Sequence, residues 1–198
     1  MPNKYLLSSI LSIIFLVAVF LQTQCSSPQG KVMTKEEMIK KGEYLVNFGG
    51  CNDCHSPKVF TDMGPVPDTT KLLSGHQQNA YLAKVDTSII GPGKWYLSNG
   101  DLTAWVGPWG ISFSANLTPD ISTGIGAWTE DLFVKSMRSG LHLGAGRPIL
   151  PPMPFMGLAG LKDEDLKSVF AYLKSIKPIS NKVPDPVLPN EVAARYGK

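Results

Sequence analysis

Five consecutive residues, Cys51-Asn52-Asp53-Cys54-His55, carry the sharpest chemical signal in the chain. Two thiols at i and i+3 with a histidine directly after them form the C-x-x-C-H pattern of c-type haem attachment. In so compact a turn, the two thiols add to the two vinyl groups of one haem. The imidazole of His55 is then presented to the iron from one face. The pattern occurs once, so one covalent haem c is expected, attached through Cys51 and Cys54. Competing chemistries fit less well. A C-x-x-C redox pair is expected near a βαβ pattern, which this sequence does not show. A zinc site needs a second pair of ligands at knuckle spacing, and the other histidines, His76 and His142, stand far apart. A disulfide between Cys51 and Cys54 closes a very tight loop and leaves His55 unexplained.

An iron held by His55 needs a sixth ligand, and its identity separates electron transfer from ligand chemistry. The candidates are Met153, Met156, Met63, Met137, His76 and His142. Met137 is better explained as core on a helix, and Met63 lies close in sequence to His55. Met153 sits in Ile149-Leu150-Pro151-Pro152-Met153-Pro154-Phe155. Prolines stiffen that segment, so a thioether held there is oriented in advance. Opposite an imidazole, a soft thioether stabilises ferrous iron and raises the potential. Core packing is the commoner fate of a methionine, but the Pro-Met-Pro setting favours Met153, with Met156 second.

Three helices must position these groups. Thr34 and Glu37 have capping-box spacing, and Met38, Leu45 and Val46 share one face behind them. Gly42 permits a close helix crossing, and Gly49-Gly50 ends the helix directly before Cys51. A second helix starts at Thr129, with Glu130 and Asp131 in its first turn, where the dipole favours negative charge. Its inner face is Leu132, Phe133, Ser136 and Met137, and Gly140 terminates it. In the third, Leu166, Val169, Phe170, Leu173 and Ile176 recur at helical spacing. Asp163, Glu164 and Asp165 open it, and Pro178 stops it. The stretch from about 56 to 115 is Gly/Pro-rich and lacks that periodicity. Asn99-Gly100 lies between two apolar runs as a hairpin signal, and Ile111 and Phe113 could add a third strand. A structureless loop of that length is improbable in a compact domain, so an insertion carrying a small β element is expected. The whole reads as one mainly α domain over 33–180, followed by an extended tail over 181–198.

The chain has 198 residues, 43% hydrophobic and 18% charged, with net charge +3. The apolar content suffices for a core and excludes chain-wide disorder. A charge of +3, with acidic and basic residues interleaved, gives no footprint for nucleic acid. Residues 1–24 combine a basic start at Lys4 with an apolar stretch from Tyr5 to Leu21, which reads as a signal peptide or a retained anchor. Cys25 follows it, with Ser26, Ser27, Pro28 and Gly30 next. That arrangement resembles a bacterial lipoprotein cleavage site, although Gln24 stands where a small residue is usual. Lipidation of Cys25, retention of the anchor and free export are the alternatives, with 25–32 as a linker. Each places the rest outside the cytoplasm, periplasmic or extracytoplasmic, and in the first two the lipid or the anchor would hold it at the membrane.

Further stretches carry a resemblance. They are Gly42-Glu43-Tyr44-Leu45-Val46, Asn116-Leu117-Thr118-Pro119-Asp120, Thr123 to Thr129, Arg138-Ser139-Gly140, Leu150 to Phe155, and Asp163-Glu164-Asp165-Leu166 through Tyr172-Leu173. In that order, around one C-x-x-C-H, the chain resembles the class I c-type cytochrome family. It is similar to the cytochrome c domains that serve as electron-accepting subunits of bacterial periplasmic dehydrogenases. The resemblance implies the class I cytochrome c fold, helices wrapped around one haem, with His55 and Met153 as axial ligands. It departs from the family at Lys162, where a Thr or Ser cap is usual. It departs again in its single motif, since those subunits often carry several haems. The implied function is one-electron transfer between redox partners on the dehydrogenase or terminal oxidase side, without catalysis of its own. Tyr44, Phe155 and Trp128 are candidate walls, and Arg138 or Arg147 a candidate propionate partner. The other readings, a haem enzyme or a ligand-binding sensor, require an open distal site.

Overall fold

The computed structural model describes residues 33–198. The expected signal segment and Cys25 lie outside the described residues. Helix α1, Lys35–Phe48, begins with the full capping box: Thr34 Oγ1 accepts from Glu37 N–H, and the Glu37 carboxylate accepts from Thr34 N–H. Such a cap stabilises a helix by about 1 kcal/mol. Gly49 closes α1, and Gly50, at φ +62°, turns the chain into the short helix α2, Cys51–His55.

The long insertion leaves directly after His55. It opens with a hairpin of β1, Lys58–Thr61, and β2, Gly64–Pro67. Its apolar side chains Val59, Phe60 and Val66 are exposed, and Pro65 and Pro67 obscure any strand pattern in the sequence. A three-stranded antiparallel sheet follows, of β3, Leu97–Ser98, β4, Ala104–Gly107, and β5, Gly110–Phe113. The β3–β4 connection is wider than an Asn-Gly two-residue turn, because Asn99 Oδ1 accepts from the N–H groups of Thr103 and Ala104. The small β element is therefore present, with a second sheet that the sequence did not suggest.

Helix α2 is thus linked through the sheets to α3, Glu130–Ser139, capped by Thr129 and ended by Gly140 at φ +67°. The short α4, Phe155–Ala159, precedes α5, Asp163–Ser175. Lys162 makes no capping bond, as its side chain has no acceptor. Asp163 is bound instead by Arg138, at 2.6 Å. The tail, expected to be extended, ends in a helix α6, Pro189–Tyr196. Pro189 pre-sets the backbone at its first position, and Val192 anchors it beneath β5 beside Ile111 and Val187.

The main core contains Val46, Leu73, Ile125, Phe133, Met137, Leu166, Val169, Phe170 and Leu173. Helix α5 supplies four of these at the expected spacing, each contributing about 1.5–3 kcal/mol on burial. Helix α1 crosses α5 at Gly42, where an added Cβ would lie 1.9 Å from the Ser168 carbonyl oxygen. Lys41 bridges to Asp165 at 2.6 Å beside that crossing. Among the described residues, no helix is long and apolar enough to cross a membrane.

Candidate functional site

The turn of helix at Cys51–His55 brings two thiols three residues apart, one helical turn from each other. Cys51 is half-buried against the main core, whereas Cys54 faces a cleft. Burial pushes both thiols above their ordinary range, so each rests as the neutral S–H. His55 is 8% exposed, and its Nδ1–H donates to the Ala115 carbonyl at 2.8 Å. A carbonyl only accepts, so the proton sits on Nδ1 and Nε2 keeps its lone pair. Burial also holds the ring neutral by lowering its pKa, with the charge of Lys58 adding to the effect. A neutral imidazole with one nitrogen tethered is the form that ligates a metal.

The insertion explains how Ala115 comes to this position. It leaves at Ser56 and returns at Ala115, so both its ends flank His55. Gly75, at φ +77°, lets the chain pass so close that a Cβ would lie 2.7 Å from the Ala115 oxygen. Asn181 locks the return: its Nδ2 donates to the carbonyls of Ser74 and His76, and its N–H donates to Thr123 Oγ1. Asn116 Nδ2 donates to the Ile179 carbonyl at 2.8 Å. The Asn116-Leu117-Thr118 stretch therefore fastens the C-terminal segment across the site.

Cys54 and His55 open onto a cleft of about 630 Å³, within the usual range of about 300–1,000 Å³ for small-molecule and cofactor sites. Leu117, Ile125, Trp128, Phe133 and Ile149 give it an apolar wall. Met153 lines the same cleft, as do Met137 and His142. Met137 is at the same time part of the main core, and His142 lies edge-on to Trp128 at 5.5 Å. Met156 is 78% exposed and Met63 94% exposed, and neither lines the cleft. His76 does not line it either: it is buried, bonded through Nδ1 to Thr103 Oγ1 at 2.9 Å and packed on Phe113.

Of the candidate walls, Trp128 lines the cleft, whereas Tyr44 is exposed and stacked on Phe48, four residues along α1. Phe155 packs at Gly140 instead. Arg147 lines the cleft, and Arg138 is engaged with Asp163 and the Ala159 carbonyl. Sequence reasoning missed Trp105 and the segment from Lys182 to Pro186, all of which line the cleft. Trp105 was legible only as a strand residue, and no local pattern reveals that the tail folds back.

An apolar cleft lined by the Cys54 thiol, a tethered imidazole and a thioether, with the Cys51 thiol one helical turn back against the core, suits a covalently held haem. No family model matches the chain. It is 27% identical over 183 residues to the gluconate 2-dehydrogenase cytochrome c subunit of Pantoea cypripedii, covering 91% of this chain and 33% of that protein. It is 28% identical over 153 residues to the cytochrome c subunit of the quinone-dependent alcohol dehydrogenase of Gluconobacter oxydans, covering 76% of this chain and 24% of that protein. It is 37% identical over 83 residues to the fructose dehydrogenase cytochrome subunit of Gluconobacter japonicus, covering 41% and 17% respectively. The chain thus spans a third or less of these curated relatives. Over most of its length, the chain is a homologue of cytochrome c subunits of bacterial dehydrogenases.

Proposed function

We propose that this chain is an exported class I cytochrome c that binds one haem c and passes single electrons as a partner or subunit of a periplasmic dehydrogenase. The observation that carries the reading is the convergence of Cys54, His55 and Met153 on one apolar cleft. The haem supplies a ferric–ferrous couple when bound. Cys51 and Cys54 would hold it covalently, and His55 Nε2 and the Met153 thioether would bind its iron. The Ala115 carbonyl fixes the ring plane and the protonation of His55. Leu117, Ile125, Phe133 and Ile149 exclude water, which lowers the rearrangement required on each electron transfer. Arg147 and Lys182 bring positive charge to the cleft and suit the propionates. The protein performs no substrate chemistry itself.

The deciding experiment is an optical spectrum of the holoprotein in both redox states. Six-coordinate, low-spin haem in both states is expected. A high-spin ferrous form that binds CO at once would overturn the reading in favour of a ligand-binding or catalytic haem. Attachment is checked separately by acid–organic extraction, which should leave one haem on each polypeptide. Recovery of free haem, or of two per chain, would contradict the single Cys51–Cys54 attachment.

The N-terminal segment carries its own expectation. Lipidation of Cys25 would tether the protein at the membrane surface. The mature protein should then incorporate a fatty-acid analogue and partition into detergent, and Cys25→Ser should lose both properties. Labelling that persists in Cys25→Ser would show that the acyl chain is elsewhere.

A further inference from the structure

One side chain of the insertion reaches the methionine segment. Ser112, on β5, is 7% exposed. Its hydroxyl donates to the Pro151 carbonyl and accepts from Trp109 Nε1–H at 3.2 Å. Side chains alternate along a strand, so the neighbours of Ser112 serve other contacts. Ile111 packs on Val187 and Val192, and Phe113 packs on His76. The Trp109 ring lies so close over Gly107 that a Cβ there would meet it at 2.5 Å. The donor is therefore seated by the β4–β5 turn itself.

The acceptor belongs to the turn that carries the candidate ligand. Met153 N–H donates to the Leu150 carbonyl at 3.3 Å, closing a turn over Leu150–Met153. Pro151 and Pro152 have no N–H, so the turn has few bonds of its own. Its flanks are fastened by Ile149 N–H to the Gly140 carbonyl on one side and, on the other, by Phe155 N–H to the Met153 carbonyl and by Gly157 and Leu158 N–H to the Pro154 carbonyl.

We propose that Ser112 is a positioning residue for the distal ligand: its bond to Pro151 holds the Leu150–Met153 turn, and so the Met153 thioether, at the cleft. The inference rests on the reading of Met153 as the iron's thioether ligand. It gives the insertion a function, since the sheet braces the ligand segment across the cleft from outside the helical core. A turn held by this bond restricts how far the flexible thioether can withdraw from the cleft, so loss of the brace would raise the fraction of time a haem iron's sixth position is open.

Cyanide binding to the ferric holoprotein reads that fraction, because cyanide enters only when the thioether has left. Loss of one net hydrogen bond should make Ser112→Ala bind cyanide about five- to tenfold faster than wild type. Trp109→Phe removes the donor to the same hydroxyl and should shift the rate in the same direction. Val192→Ala is the control: it weakens packing beneath the insertion without touching the Ser112–Pro151 bond, and should leave the rate unchanged. Cyanide binding by Ser112→Ala at the wild-type rate would overturn the proposal. So would an equal acceleration in Val192→Ala, which would assign the effect to general loosening. A wild-type ferric spectrum without the thioether band would instead overturn the Met153 reading, on a separate observation.

Discussion

Met153→Ala is expected to abolish the weak long-wavelength thioether-to-ferric band proposed for the holoprotein and to lower its reduction potential. A thioether is a soft ligand that favours ferrous iron, so its loss shifts the couple toward the ferric state. The emptied position then takes up CO when reduced and cyanide when oxidised, with stoichiometric binding where wild type shows little. Stability falls less than in a core truncation, which typically costs about 2–5 kcal/mol. Met153 is only half-buried, and the proposed attachment through Cys51, Cys54 and His55 would still hold the haem. Absorption spectra and a redox titration of the purified variant check each part.

The neighbouring groups make the result specific. Met156→Ala should keep the band, because that side chain is 78% exposed and turned away from the cleft. If the band survives in Met153→Ala, the groups left in the cleft are Met137 and His142. Met137 would have to leave the core to ligate, disturbing Phe133 and Phe170 beside it. His142 would instead give a bis-histidine haem of lower potential with no thioether band in wild type. His76 is removed from that comparison by its bond to Thr103 and its burial away from the cleft.

The parts of this molecule legible in the sequence are those fixed by local rules. The capping box at Thr34, the Gly49-Gly50 stop, the Thr129 cap and Gly140 stop, and the spacing from Leu166 to Leu173 all form as expected. Each depends on residues within a few positions of one another. The Cys51–His55 motif is equally local, and it forms the short helix α2 with Cys54 and His55 at the cleft. What was not legible depends on distant partners. The backbone oxygen that orients His55 comes from Ala115, sixty positions along, and any residue could have supplied it. The tail forms a helix because β5 offers Val192 a surface, and nothing in Pro189 to Tyr196 alone requires one. Proline-bearing strands such as β2 carry no alternation to detect, since their apolar side chains face solvent. Lys182 joins the cleft only through the clamp that Asn181 makes on Ser74, His76 and Thr123.

The largest structural effect is expected from the smallest substitution. Gly42→Ala places a Cβ 1.9 Å from the Ser168 carbonyl oxygen and 2.8 Å from Tyr172 Cβ. Both are part of α5 or its backbone, and the carbonyl cannot rotate away as a flexible side chain would. Helix α1 must therefore move off α5, which opens the seam around Val46, Leu166 and Val169. Alanine's better helix propensity returns about 1 kcal/mol, while overpacking a rigid core costs about 1–3 kcal/mol or more. The displaced seam adds lost packing, so a net loss of about 2–3 kcal/mol is expected. A lower urea midpoint for the holoprotein, at unchanged slope, is the measurement. Gly157→Ala is the matched control, because a Cβ there meets nothing within 4 Å. It should leave the midpoint unchanged or raise it slightly. Because α1 leads directly into Cys51, loosening the crossing also frees the base of the Cys51–His55 turn, the proposed point of haem attachment. Gly42→Ala should therefore broaden the haem spectrum before the protein unfolds, whereas Gly157→Ala should not. A Gly42→Ala midpoint equal to wild type would overturn the close crossing of α1 and α5.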